Sequence, residues 1–361
     1  MQQIAITCQG PRTIGFVQEP MRALQPHEAR VRTLYSGISA GTELTLYRGS
    51  NPYLHKRWDS ALRLFHDDSQ QATAYPIANW GYEEVGEVVE IGSQVSDLAP
   101  GSIVYGTWGH RTSAIVDGAF VRARQLPPGA DPLLGIFSHI GPIALNAILD
   151  SAIRLGETVA VFGLGVVGQL VAQLARLSGA EVIGVDLVPQ RCDLARRLGI
   201  EQVLDGTAVE ADRAIKELTA GRGADVCIEA SGSARALHQA IRACAYSSKV
   251  VALGFYQGEA AGLRLGEEFH HNRIALVCSQ ISGIAPELQH RWDRLRLVQT
   301  FMRLAIAEKL PVKPLITHLV PAAEAPLLFS LLDTQPSSVL QAVLDFRTEL
   351  PDTLLDARSA S

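Results

Sequence analysis

Residues 158–186 read TVAVFGLGVVGQLVAQLARLSGAEVIGVD, and no other stretch constrains the chain as tightly. Val159 to Phe162 is a short apolar run of a strand-forming kind. Gly163-Leu164-Gly165-Val166-Val167-Gly168 then completes a G-x-G-x-x-G. Leu170, Val171, Leu174 and Leu177 recur at helical spacing, and Gly179 closes that helix. A second apolar strand ends on Asp186. The order strand, glycine turn, helix, strand, acid predicts one βαβ unit. Gly163 permits the tight turn, Gly165 lets the backbone approach a pyrophosphate, and Gly168 lets the helix pack on the strand. The helix N-terminus supplies free N–H groups and partial positive charge. Asp186, 18 residues after Gly168, is placed to accept from a ribose hydroxyl and to repel a 2′-phosphate. The unit therefore predicts NAD(H). Arg191 stands nearby as a possible opposing charge, though it also reads as a helix-surface arginine. A glycine motif alone is weak; its flanking elements give it meaning.

With 361 residues the chain has room for two domains. Its hydrophobic content of 47% and charged content of 19% describe a globular core. A net charge of −5 with no basic cluster argues against a nucleic-acid partner. No apolar run reaches the roughly 18 residues of a membrane span, and the N-terminus carries no leader pattern. Five scattered cysteines, none in C-x-x-C spacing, read as buried single thiols of a reducing, cytoplasmic setting.

Before residue 137 short strand-like runs alternate with turns, at 4–7, 28–36, 85–91, 102–105 and 118–121. This is an all-β unit, expected to be a small barrel. Residues 48–76 form a long insertion rich in aromatic and basic side chains, including Tyr53, His55, Lys56, Arg57, Trp58, Arg63 and His66. A loop of that length is usually functional or disordered; this composition favours an ordered lid, with His55 and Trp58 as substrate contacts, over a floppy linker, and a solvated surface excursion is the alternative. From about 134 a helix leads into the glycine unit, and βα repeats follow: strands near 224–229, 249–254 and 274–279, and a helix at 234–245. Alternating strands and helices predict a parallel, doubly wound sheet. The turns Ala230-Ser231-Gly232 and Leu253-Gly254-Phe255 end strands at the edge where such sheets bind ligands. Segment 286–309 is helical, and the tail reads strand, helix, strand.

Three landmarks carry a family resemblance. Gly37-Ile38-Ser39-Ala40-Gly41-Thr42-Glu43 is similar to a G-I-C-G-T-D motif, and residues 81–92, GYEEVGEVVEIG, are similar to G-H-E-x-x-G-x-V-x-x-V-G. The nucleotide unit is the third. Together they resemble the medium-chain dehydrogenase/reductase superfamily, that of the zinc-type alcohol dehydrogenases. The resemblance spans nearly the whole chain. It implies an α/β protein: a GroES-like β-barrel catalytic domain at 1–137, completed by 284–361, around a Rossmann dinucleotide-binding domain with a doubly wound parallel sheet at 138–283. It also implies nicotinamide and ribose contacts at 230–232 and 253–255, a small-molecule substrate, and a homodimer paired through an edge strand.

The departures matter as much. Where the zinc enzymes of the superfamily hold a catalytic metal, the Cys falls on Ala40, the His on Tyr82, and the third ligand near His139. Ala40 has no donor and Tyr82 is a poor zinc ligand, so no catalytic zinc is expected. The four-cysteine structural zinc lobe is missing too. A Tyr or His donor can stabilise a carbonyl oxygen in place of a metal. Tyr82 and His139 are the candidates, Glu83 as an orienting group and Ser39 or Thr42 as a proton relay. Tyr82 as a space-filler and His139 as a structural histidine are the alternatives. GIS-x-GTE followed by GYE is also similar, locally, to a subgroup that includes bacteriochlorophyllide a dehydrogenase. His270-His271, expected on a strand, would point to opposite faces, and His318 and His110 read as surface or structural. The expected reaction is NAD(H)-dependent interconversion of a secondary alcohol and a ketone. A zinc-independent enone or quinone reductase and a catalytically silent NAD(H) sensor remain open.

Overall fold

The computed structural model describes residues 2–67, 73–348 and 350. The chain divides into two compact units, 1–139 with 313–361 and 140–312.

In the second unit six strands form one parallel sheet. Its spatial order is Gln202–Asp205, Glu181–Asp186, Thr158–Phe162, Ala224–Glu229, Cys244–Ala252, Ala275–Cys278. Numbered along the chain this is 3-2-1-4-5-6, the doubly wound order with its switch point between Thr158–Phe162 and Ala224–Glu229. Every residue of Thr158–Phe162 is buried, as a central strand covered on both faces must be. Helix Val166–Leu177 buries Leu170, Val171 and Leu174 and ends before Gly179, whose φ of 86° no β-carbon favours.

The first unit is built on a mixed sheet in the order Ile316–Pro321, Gln341–Asp345, Glu28–Ile38, Glu83–Ile91, Ile103–Gly106, with Ser113–Asp117 also paired to Glu28–Ile38. A hairpin, Gln2–Gly10 with Thr13–Pro20, makes a second layer. The tail strand Gln341–Asp345 pairs antiparallel with the middle strand, Ala342 opposite Ile38. It thus lies alongside the segment that carries the first landmark. This is the GroES-like unit, and the tail completes it.

Several expectations need correction. The chain returns to the first unit at 313, not at 284. Helix Arg294–Ile306 stays with the second unit because its apolar face, Leu297, Val298, Phe301 and Met302, is buried there; the Phe301 ring lies against the backbone of Gly141. Residues 118–121 are not a strand but helix Gly118–Arg122, started by Asp117 accepting from Phe120 N at 2.8 Å. His270 and His271 continue a helical turn, not a strand, with ring centroids 5.5 Å apart. Four cysteines are buried, but Cys278 is exposed. One helical stretch, Pro132–Ser151, is long and apolar enough to cross a membrane, against the expectation that none would be. Most of it, 72% of the apolar window, is buried inside the protein, as befits a core helix.

Candidate active site

In the second unit the glycine turn is built as its sequence demands. Gly163 has φ 87° and donates its N–H to Val185 O. A β-carbon on Gly168 would stand 1.7 Å from the Gly163 carbonyl oxygen, so only glycine brings the helix this close to the strand. A β-carbon on Gly165 would meet nothing within 4 Å, which leaves the helix N-terminus open to a ligand. Asp186 closes the second strand. Its Oδ2 accepts from Leu164 N at 2.5 Å and its Oδ1 from Val188 N at 2.8 Å. The carboxylate thus clamps the glycine turn and retains lone pairs for a further donor. Arg191 sits partly buried on helix Pro189–Arg197.

Glu229, fully buried at the end of Ala224–Glu229, joins the two expected nicotinamide turns. Its carboxylate accepts from Ser231 N (2.8 Å), Gly232 N (3.1 Å), the Ser231 hydroxyl and the Tyr256 hydroxyl. Its backbone oxygen accepts from Leu253 N and Gly254 N at 2.9 and 3.0 Å. Ala230, Ser231, Gly232, Leu253, Gly254 and Phe255 are therefore held as one assembly. The sequence placed Glu229 only as a strand end; an acid directly before a small-residue turn was the available signal.

In the first unit the Tyr82 hydroxyl donates to the Ser39 hydroxyl and also bonds the Thr42 hydroxyl. The His139 ring lies 4.4 Å from the Tyr82 ring, tilted by 46°. The structure thus brings Tyr82, His139, Ser39 and Thr42 together. Burial, and then the carboxylates of Glu83 and Glu43, push the Tyr82 phenol far above its ordinary value, so it is a hydrogen-bond donor and not an anion. Ser39 is buried while Thr42 is exposed, so the hydroxyl pair runs from interior to surface.

Glu83 is fully buried. Its Oε2 accepts from Gln341 Nε2 at 3.0 Å, and its Oε1 has no partner. Burial, then the charges of Glu43 and Glu84, hold its carboxyl well above the usual range. Next to it Glu84 accepts from Trp108 N and from Ser36. Two further residues join this layer: Glu43, which the sequence offered only as the end of the first landmark, and His110, which it offered as surface or structural. His110, fully buried, pairs through Nε2 with Glu43 Oε2 at 2.8 Å, and through Nδ1 meets Ser36 Oγ at 2.7 Å. No spacing in the sequence announces this pairing.

The 48–67 segment is ordered: a turn at Pro52–Leu54, then a hairpin of Arg57–Asp59 with Leu64–His66. Residues 68–72 of the expected lid lie outside the described residues. His55 Nε2 meets Gly49 O at 3.2 Å, and Trp58 packs on Phe65 with centroids 4.9 Å apart. Lys56 pairs with Asp67 and Arg57 with Asp59, so part of the insertion's basic charge is neutralised within the loop.

A doubly wound sheet with its glycine turn open at the switch point, and a GroES-like unit holding a Tyr–Ser–His cluster, define a two-unit dehydrogenase. The chain belongs to the medium-chain dehydrogenase/reductase superfamily, among the zinc-type alcohol dehydrogenases and their relatives, and is an oxidoreductase. The zinc-binding dehydrogenase family profile matches residues 166–296. The chain is 31% identical over 322 residues to D-guloside 3-dehydrogenase of Escherichia coli K12, covering 88% of this chain and 92% of that protein. It is 25% identical over 349 residues to sorbitol dehydrogenase of Halalkalibacterium halodurans, covering 88% and 92%. A solved structure from Sinorhizobium meliloti 1021, assigned as a zinc-binding dehydrogenase and bound to NADP, shares the fold with a TM-score of 0.76 at 22% identity, covering 96% and 99%.

Zinc chemistry needs three protein donors at a catalytic site. At the three positions that the resemblance aligns with metal ligands, Ala40 is an exposed methyl, and the Tyr82 hydroxyl is held neutral and committed to Ser39 and Thr42. His139 alone offers a ready donor, so these residues do not fit the metal. Among the described residues, the trio of metal-ligating side chains with its atoms within 4.8 Å of one another is His238, Glu267 and Glu268, in the second unit.

Proposed function

We propose that the protein is an NAD(H)-dependent dehydrogenase that interconverts a secondary alcohol and a ketone without catalytic zinc, on a sugar or polyol. The observation that carries this reading is the neutral Tyr82 phenol, bonded to Ser39 and Thr42 and 4.4 Å ring to ring from His139, at positions where the family's metal ligands fall. Asp186, at the end of the second strand, supports NAD over NADP. The names of two relatives, D-guloside 3-dehydrogenase and sorbitol dehydrogenase, support the substrate class.

NAD, when bound by the glycine turn and the Glu229-tied turns, supplies the hydride acceptor. The first unit supplies the rest. In the oxidising direction His139 takes the hydroxyl proton of the alcohol, the carbinol carbon gives up its hydride, and the C–O bond becomes a carbonyl. In the reducing direction the Tyr82 hydroxyl turns its one proton from Ser39 to the carbonyl oxygen as negative charge grows there, and His139 returns the proton. Thr42, exposed, links the Tyr82 hydroxyl to solvent. Trp58 and His55 on the ordered insertion are the substrate contacts in this reading.

We also propose a homodimer. Strand Ala275–Cys278 is one of the two edge strands of the six, and its Ala275, Leu276 and Cys278 are exposed, an apolar edge with no further strand beside it among the described residues, which a second copy can extend. The five free thiols suit a reducing, cytoplasmic setting.

The test is elemental analysis of the purified protein with turnover of His139→Asn. Activity without zinc, and a large loss of turnover at retained NADH binding, is the expected result. Stoichiometric zinc required for turnover, or full turnover in the variant, would overturn the reading.

A further inference from the structure

We propose that the buried Glu43–His110 pair is a positioning device: it fixes the Tyr82–Ser39 hydroxyl pair by gripping both segments that carry it. The inference rests on the acid–base role given above to Tyr82.

The two hydroxyls sit on separate segments, Ser39 just after strand Glu28–Ile38 and Tyr82 just before strand Glu83–Ile91. Glu43 holds the first, because its Oε1 accepts from Ser39 N at 3.1 Å. His110 holds the second in two ways. Its backbone N donates to Trp80 O at 3.1 Å, two residues before Tyr82. Its ring lies so close under Gly81 that a β-carbon there would come within 2.8 Å of Cε1; Gly81 also has φ 89°, so glycine is required on both counts. The Nε2–Oε2 contact at 2.8 Å then joins the two grips. Moving either segment breaks it.

The pair is set among further polar groups. Ser36 Oγ lies 3.0 Å from Glu84 Oε1 and 2.7 Å from His110 Nδ1, and Glu84 accepts backbone N–H from Glu83 and Trp108. Burial raises the Glu84 carboxyl above its ordinary value, against the pull of His110 and the Trp108 N–H. Burial pulls the His110 imidazole down, but Glu43, by charge and hydrogen bond, and Glu84 together outweigh it and the opposing charge of Arg111, leaving His110 above its ordinary value. The rings of Trp80 and Phe329 enclose the rest of the imidazole, edge-on.

A buried ion pair is a poor way to stabilise a fold, since desolvation offsets most of the attraction. What such a pair does well is to fix geometry. Here the geometry is that of two hydroxyls at the reacting end of the unit, which makes Glu43 and His110 positioning residues.

The experiment is a double-mutant cycle on the intact protein, reading turnover of a sugar alcohol, NADH affinity by fluorescence titration, and melting temperature. Glu43→Gln keeps shape and hydrogen bonding to Ser39 N but loses the charge. It is expected to lower kcat by about 10²-fold, the size of a one-ångström misplacement, with NADH affinity unchanged. Tyr82→Phe is expected to lose a similar factor, and the double variant to be no worse than Tyr82→Phe alone, because both act through one hydroxyl. His110→Gln should behave as Glu43→Gln does. Glu43→Asp, which keeps the charge one methylene short, covers a Gln variant that fails to fold and should retain intermediate kcat. Losses that multiply in the double variant would overturn the positioning role alone. Full turnover in Tyr82→Phe would overturn the reading of Tyr82 and the proposal with it.

Discussion

Replacing Glu83 by Gln removes a buried ionisable group while nearly preserving its shape. Glu83 is fully buried, and burial together with Glu43 and Glu84 raises its folded value well above 4.5. The sign follows. Below pH 4.5 both folded and unfolded chains carry the proton and nothing is lost. Above it the unfolded chain ionises and the folded chain does not, so stability falls as pH rises toward the folded value. The slope for one proton is about 1.4 kcal/mol per pH unit, or roughly 2.7 kcal/mol over two units above the unfolded value. Gln carries no such slope. At low pH the exchange is near neutral: the amide oxygen can take the Gln341 bond, and the amide N–H replaces an Oε1 that has no partner now. The variant should therefore equal wild type below pH 4.5 and exceed it increasingly above, by about 5–10 °C in melting temperature two units higher at some 2–4 °C per kcal/mol. The assay is thermal unfolding of both proteins across that range by circular dichroism. Parallel curves, with a pH-independent difference, would show Glu83 ionised in the folded chain and refute the argument.

Asp186→Ala should raise the KM for NAD at least tenfold and narrow the preference over NADP, since the ribose acceptor and the anionic repulsion both go; steady-state kinetics with both cofactors checks it, and an unchanged ratio counts against the assignment. Gly168→Ala should abolish NADH binding, because its β-carbon would lie 1.7 Å from the Gly163 oxygen; wild-type fluorescence titration is the contrary result. Gly81→Ala should cost about 2–4 kcal/mol of unfolding free energy from strain at positive φ and the His110 contact, measured by urea unfolding. Less than 0.5 kcal/mol would mean the turn relaxes freely, against the rigid grip described.

The nucleotide unit was legible because its signals are local. A strand, a glycine turn, a helix and an acid follow each other within 158–186, and the structure places each as the spacing required. Tyr82, Ser39, Thr42 and His139 were legible only by resemblance, since Tyr82 and His139 stand 57 positions apart (139 minus 82) in sequence. His110 was legible only as a surface or structural histidine, not as the partner of Glu43. Its partners Glu43 and Ser36 lie 67 and 74 residues away, and a buried histidine has no periodic mark. The boundary at 313 was missed for a related reason. Helix Arg294–Ile306 is amphipathic, and amphipathicity says that a face is buried without saying against what. The short helix after Asp117 lost to a strand reading because Phe120 and Val121 are strand formers while the cap that decides the matter is a single side chain.

Glu229 has a consequence for the thermodynamics of cofactor exchange. Two turns that would otherwise fluctuate separately are tied by one carboxylate through side-chain and main-chain acceptors. Ordering them costs entropy once, during folding, and not again at each binding event. NADH should then bind with a small entropic penalty and leave slowly, and Glu229→Ala should reverse both, weakening affinity chiefly through entropy in calorimetry and speeding NADH release in stopped flow. Where product release limits turnover, such a variant would run faster at saturating cofactor while needing more of it.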